Sequence, residues 1–96
     1  MSRMDHIVNF QGQEILIEVQ QNEVHREVVE LFKNYRKEIG MTQVELGRRI
    51  GIPQSNVTRF ESGNYNPTLE FLVKTAAAMG KKVKVSLEDL KIIDCR

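Results

Sequence analysis

Along this chain the hydrophobic period changes from two to about 3.6 and back to two, and each change marks an element. Ile15, Ile17 and Val19 alternate with Glu14, Leu16 and Glu18, the period that gives a pleated strand two faces. Ile7, Val8 and Phe10 come before, with Gln11-Gly12 between the two runs. Glycine supplies the positive φ of a tight turn, so the spacing predicts a β-hairpin within residues 6–19. From Val24 the period lengthens. Val24, Val28, Leu31, Phe32, Tyr35 and Ile39 recur at helical spacing, with Arg26, Glu30, Lys33 and Lys37 between them. This predicts a helix of about four turns, ended by Gly40 in the left-handed position after the helix.

Shorter helices follow. Thr42 with Glu45 three residues on reads as a capping box, and Met41 with Leu46 as its hydrophobic staple. That helix stops at Gly51. Pro53, which has no amide proton to lose, suits the first turn of a short helix over Gln54–Ser62, closed by Gly63. After the loop Asn64-Tyr65-Asn66-Pro67, an amphipathic helix runs through Leu69, Leu72, Val73, Ala76 and Met79 to Gly80. In the last segment Val83, Val85 and Leu87 alternate with Lys82, Lys84 and Ser86, a strand with one wet face. An apolar strand with open edges is a liability. It is expected to pair with its twofold mate in a dimer or to join the hairpin in one sheet, which would bury Ile15, Ile17 and Val19. The fold class is mainly α, with a small β element from the N-terminal hairpin and C-terminal strand. The chain divides into a strand extension (1–23), a helical body (24–80) and a C-terminal strand and tail (81–96).

Composition narrows the function. With 96 residues, 41% hydrophobic and 28% charged, the chain fits one domain with a modest core and little room for a deep enzyme cavity. Its apolar runs fall far short of the ~20 residues of a membrane span. Asp5, His6 and Asn9 interrupt the start, so no leader is expected. The single cysteine, Cys95, excludes an intrachain disulfide framework and points to a reducing cytoplasm, where it reads as a bystander thiol. His6 and His25 have no cysteine or acidic partner at ligand spacing, so no metal site is expected. Neither a glycine-rich phosphate loop nor a nucleophile motif is present. Enzymatic activity, catalytic residues and cofactors are therefore not expected.

The net charge of +1 is unevenly spread. Residues 1–25 hold one base (Arg3) against four acids (Asp5, Glu14, Glu18, Glu23), net −3. Residues 26–63 hold seven bases against five acids, and residues 64–96 six against four. A near-neutral total argues against indiscriminate polyanion binding but is compatible with reading one DNA site through a few well-placed groups.

Such groups are in place. The turn Gly51-Ile52-Pro53 is too short for its flanking helices to lie antiparallel, so they cross steeply, the signature of a helix-turn-helix. A side chain at Gly47 would hold the second helix away. That helix buries Val57 and Phe60 and turns Ser55, Arg59 and Ser62 outward, with Asn56 and Thr58 on the flanks and Gln54 at its tip. Gln, Asn, Ser and Arg are residue types that match base edges in the major groove. Phe32 and Tyr35 lie on the buried spacing and read as core, as do the methionines. Arg48 and Arg49 read equally as a solvated face or as phosphate contacts. Lys81, Lys82 and Lys84 read as a solvated strand face before an attraction for phosphates.

The stretch RKEIGMTQVELGRRIGIPQSNVTRFESGNYNPTLEFLVKTAAAMG resembles the Xre/Cro-like, lambda-repressor-like helix-turn-helix family over roughly residues 26–80. The strand-like KKVKVSLE after it resembles the HigA and HipB kind of antitoxin, in which the same domain represses its own operon and binds a toxin. The resemblance implies that Gln43 holds a phosphate and braces the recognition helix. It implies base reading by Gln54, Ser55, Asn56 and Arg59, a phosphate or flanking contact from Thr58, and backbone contacts from Asn64 and Tyr65. Arg36 and Glu61 match a buried ion pair that ties the first helix to the recognition helix. Pro53 stands where the family usually has a Ser or Thr cap, and Asn56 where a smaller residue is frequent. Residues 1–23 have no counterpart in the family pattern.

The expected partner is double-stranded DNA with a palindromic operator, bound by a homodimer whose recognition helices lie about 34 Å apart. A toxin protein is a possible second partner, since small ribonuclease-type toxins are usually basic and residues 1–23 are acidic. A stand-alone phage or operon repressor is the alternative. No membrane partner and no small-molecule ligand are expected.

Overall fold

The computed structural model describes residues 7–90. His6 and Cys95 lie outside them. Two short strands, β1 (Ile7–Phe10) and β2 (Gln13–Leu16), pair antiparallel with Ile7 opposite Leu16 and Phe10 opposite Gln13. They are joined by Gln11 and Gly12, at φ 50° and 79°. Positive φ at both central residues is the type I′ arrangement, whose twist matches that of the strands.

Four helices follow: α1 (Ile17–Glu38), α2 (Gln43–Ile50), α3 (Gln54–Glu61) and α4 (Leu69–Ala78). The first is longer than the sequence reading. It starts at Ile17 rather than Val24 and spans 22 residues, so the alternation Ile17–Val19 is part of a helix and not of a strand. Ile17, Val24, Val28 and Leu31 already keep a helical period, and between Gly12 and Gly40 no glycine or proline interrupts them. The helix therefore runs unbroken across residues 23 and 24, where the sequence reading divides the chain. Ile15 and Ile17 are half-buried, while Val19 is exposed.

The core sits where α2, α3 and α4 converge on the second half of α1. Leu46, Ile50, Val57 and Met79 form a buried cluster, packed round by Phe32, Tyr35, Met41, Ile52, Phe71 and Ala78. Phe60 and Val57 are each 1% exposed, and burying such side chains contributes about 1.5–3 kcal/mol apiece. Phe60 receives Phe32 and Phe71 edge-on at centroid distances of 6.0 and 5.0 Å, and Tyr65 continues the row at 5.2 Å from Phe71. Each such pair adds roughly 0.5–1.5 kcal/mol to its area burial.

The caps of α2 and α4 are alike. Thr42 accepts from the Glu45 amide and Thr68 from the Phe71 amide, both at 3.0 Å. Only half of the expected capping box forms at Thr42, because the Glu45 carboxylate turns to Arg48 and Arg49 at 2.5 and 2.9 Å.

The C-terminal strand does not form in the single chain. Residues 81–90 run on from α4 without a ladder, and the sheet among the described residues is the β1–β2 hairpin alone. A strand needs an edge to pair with. The Lys81 ammonium stands 5.1 Å from the centre of the Tyr35 ring, about 27 Å along α1 from where the hairpin enters it.

Candidate nucleic-acid interface

The turn between α2 and α3 is set by a close approach of backbone to backbone. The Ile52 amide donates to the Gly47 carbonyl at 2.9 Å. A Cβ at Gly47 would lie 2.7 Å from the Ile52 oxygen, with the Gln54 nitrogen and Pro53 carbon next at 3.5 and 3.6 Å. No real side chain tolerates that first contact, so only glycine lets α3 start where it does. Gly51 ends α2 in the left-handed conformation, and Pro53 then precedes Gln54 as an extended N-cap without a side-chain cap bond.

Beneath α3 lies a polar network. Arg36 donates from Nε to Glu61 Oε2 at 2.6 Å and from Nη2 to Oε1 at 2.8 Å, and its Nη1 reaches the Met41 carbonyl at 2.6 Å. Both side chains are buried. The ion pair thus joins α1, the α1–α2 turn and α3. Gln43 extends it: Nε2 donates to Glu61 Oε1 at 3.0 Å, and Oε1 accepts from the Thr58 hydroxyl at 2.8 Å and, at 3.4 Å, from Gln54. Burial pushes the Glu61 carboxyl up, but hydrogen bonds from Arg36 and Gln43 and the charges of Arg36 and Lys33 outweigh it and hold it below its ordinary value of 4.5.

The opposite face of α3 is wet. Gln54, Ser55, Thr58, Arg59 and Ser62 are exposed and Asn56 is half-buried, while Val57, Phe60 and Glu61 turn inward. Thr58 is engaged by Gln43 and by the Gln54 carbonyl at 3.2 Å. Arg59 is different from the other arginines of this region. Arg36 is held by Glu61, and Arg48 and Arg49 by Glu45, whereas the Arg59 guanidinium meets no carboxylate among the described residues. Arg49 also donates to the Ala78 carbonyl at 3.2 Å, bracing the end of α4. The hydrogen bond from Arg49 to Glu45, joined by the charges of Arg48 and Arg49 and a hydrogen bond from Arg48, holds the Glu45 carboxyl below its ordinary value against the opposing effect of desolvation.

After α3 the chain turns at Gly63, with the Asn64 amide bonded to the Arg59 carbonyl at 2.9 Å and the Asn64 side chain to the Ser62 hydroxyl at 3.3 Å. Tyr65 packs its ring on Phe71 and is half-buried. A contact invisible in the sequence fixes this loop: His25 Nε2 lies 2.9 Å from the Tyr65 carbonyl oxygen. The partners are forty residues apart, and no periodicity links them.

The model of the helix-turn-helix family matches residues 32–91. This chain belongs to that family, in its Xre and lambda-repressor-like branch. The match begins at Phe32, about two-thirds of the way along α1, so the hairpin and most of α1 lie outside the matched residues. The chain is 36% identical over 64 residues to an HTH-type transcriptional regulator of Methanothermobacter thermautotrophicus, covering 67% of this chain and 88% of that one. It is 36% identical over 63 residues to the cryptic phage CTXphi transcriptional repressor RstR of Vibrio cholerae, covering 66% of this chain and 53% of that repressor. Among solved structures it is similar to a toxin–antitoxin module from Streptococcus pneumoniae, with a TM-score of 0.58, 25% identity, and coverage of 75% of this chain and 79% of that one.

This helix-turn-helix protein is thus one of a family of transcriptional regulators. Among the described residues, no group of three or more His, Cys, Asp or Glu side chains is placed to hold a metal ion, and no helix is long and apolar enough to cross a membrane.

Proposed function

We propose that the protein is a sequence-specific repressor that binds a palindromic operator as a homodimer and, as an antitoxin, represses its own operon. The observation that carries this reading is the outward face of α3, where an exposed and uncommitted Arg59 rides on a helix fixed by the Arg36–Glu61–Gln43 network. A guanidinium needs two acceptors in one plane, and the O6 and N7 of a guanine offer them in the major groove. Gln54, Ser55 and Asn56 read neighbouring base edges. Gln43 and Thr58 hold the helix against the phosphates, and Asn64 and Tyr65 follow the backbone beyond it. Two copies on a twofold site double the few contacts one small domain can make. The working compartment is the cytoplasm, and no small molecule is needed.

The test is a footprint on the inverted repeat upstream of the protein's own gene. Protection of two half-sites one helical turn apart is the expected result, and no preference over random duplex would overturn the reading.

The likeness to the pneumococcal toxin–antitoxin module and the acidic N-terminal extension support a toxin partner. The alternative, a stand-alone repressor, draws its support from the similarity to RstR. Coexpression with an adjoining reading frame of about 100 residues, followed by pull-down, separates them. A stable complex supports the antitoxin, and its absence leaves the stand-alone repressor.

A further inference from the structure

Among the described residues the hairpin and an arm with a strand's alternation both lack a β partner, and they are complementary. The hairpin consists of two strands of four residues each, and no third strand joins either edge among the described residues. Its Val8 and Phe10 lie on one face, by the register of their cross-strand partners Ile15 and Gln13, and are 51% and 43% exposed. A two-stranded hairpin is marginal in water, and three strands or a covering layer are needed to hold one. The other element is the arm that leaves α4. Its root is docked, with Lys81 over Tyr35 and Val83 lining a cavity of about 320 Å³ with Leu31, Phe32 and Tyr35. Beyond Lys84 it lifts clear, leaving Val85 and Leu87 80% and 97% exposed.

We propose that this arm, Lys84–Glu88, adds as a third strand to the hairpin of a second copy, and that the reciprocal exchange holds the homodimer together. The inference rests on the homodimer reading above and names the surface that makes it. The arm has the required pattern: Val85 and Leu87 fall on one face, to continue the apolar side of the hairpin, with Lys84 and Ser86 on the other. The charges agree. Residues 1–25 carry a net −3 with Glu14 on β2, and Lys81, Lys82 and Lys84 lie in and beside the arm. The arm's own hairpin is a poor target. Leu31, which lines the same cavity as Val83, lies about 21 Å along α1 from Ile17, whereas the stretch from Val83 to Leu87 extends only about 13 Å. A second copy removes that constraint and closes the contact twice. The exchange also protects two otherwise open β elements from indiscriminate pairing.

Complementation between two variants of the full chain tests this. Val85→Asp/Leu87→Asp spoils the arm and Val8→Asp/Phe10→Asp spoils the hairpin. All four positions lie outside the helical core, so far-UV dichroism and the thermal midpoint should report an intact body. Light scattering across a dilution series should show the wild type dimeric and each variant dissociating at a concentration at least tenfold higher. An equimolar mixture of the two should form a heterodimer, seen by native mass spectrometry, that is tighter than either variant's self-association, because one intact arm still meets one intact hairpin. A chain carrying all four changes should not rescue either partner. An arm variant that dimerises like the wild type, or a mixture that yields no heterodimer, overturns the exchange and leaves the homodimer standing. A wild type that stays monomeric while it saturates its operator overturns the homodimer itself.

Discussion

Glu61 of α3 grips Arg36 of α1 through two hydrogen bonds, at 2.6 and 2.8 Å, in a setting almost closed to water. The pair sits under the recognition helix, so its loss acts on both stability and aim. Removing one partner of a buried pair strands the other charge and costs ~3–5 kcal/mol. Arg36→Ala is expected to lower stability by that order in a urea melt.

The same pair sets an acid limit. The carboxyl of Glu61 is held below its ordinary value of 4.5 in the folded chain. A depressed folded value means the folded state prefers the carboxylate. The stabilisation is then complete above pH 4.5 and is lost as the pH falls from there through the lowered folded value. Glu61→Gln should be less stable than wild type at neutral pH, and the gap should narrow on acidification below pH 4.5. A gap that stays constant between pH 7 and pH 3 would show that the carboxylate contributes nothing through its charge.

Gly47 offers a more local test. Its missing Cβ leaves room for the Ile52 oxygen, which would stand 2.7 Å from that atom. The obstacle is backbone, so Gly47→Ala must move the turn itself. Overpacking of this kind costs roughly 1–3 kcal/mol, and here it opposes the modest gain in helix propensity of alanine over glycine. The expected outcome is a lower thermal midpoint together with weaker operator binding, because the displaced turn carries α3 with it. A midpoint at or above that of the wild type would show that the turn has slack.

Arg59 and Gln43 separate reading from positioning. Arg59→Ala should weaken operator binding by about 1–3 kcal/mol and relax preference at one base pair, with non-specific binding little changed. Gln43→Ala removes the link between Glu61 and Thr58, so it should weaken binding to all duplexes by similar factors. Fluorescence anisotropy on the operator and on single-base variants gives both numbers. Uniform loss for Arg59→Ala would move that residue from the base edges to the phosphates.

Much of this architecture is legible in the residue pattern, and the failures have physical causes. The inward spacing of Val57 and Phe60 and the glycine at position 47 define the helix-turn-helix because both are local constraints. The pairing of Arg36 with Glu61 came from family resemblance alone, since charge spacing across 25 residues carries no geometry. The alternation marks a strand correctly as far as Leu16, where β2 ends, and misleads at Ile17 and Val19 because Ile17 also serves the helical period of Val24, Val28 and Leu31 while Val19 is left exposed. The terminal alternation at Val83–Leu87 is real in the sequence, but no pattern within one chain reveals which edge it meets. The half-formed capping box at Thr42 reflects competition: two arginines one turn away draw the Glu45 carboxylate more strongly than a single backbone amide.

Thr75 is a place where the fold is not at its optimum. It is fully buried in α4, at 0% exposure, and its hydroxyl has no hydrogen-bond partner among the described residues. A buried polar group left unpaired costs about 1–3 kcal/mol relative to solvation by water. Valine has nearly the same shape and a similar helix propensity, so Thr75→Val exchanges an unpaired hydroxyl for a methyl without opening a cavity. The expected result is a gain of about 1 kcal/mol, which for a domain of this size raises the thermal midpoint by roughly 4–8 °C. Operator affinity should not change, because α4 packs behind the turn and not on the outward face of α3. A fall in the midpoint would mean that the hydroxyl is satisfied after all, by a water enclosed between α4 and the core. Differential scanning calorimetry of the two chains side by side decides between them.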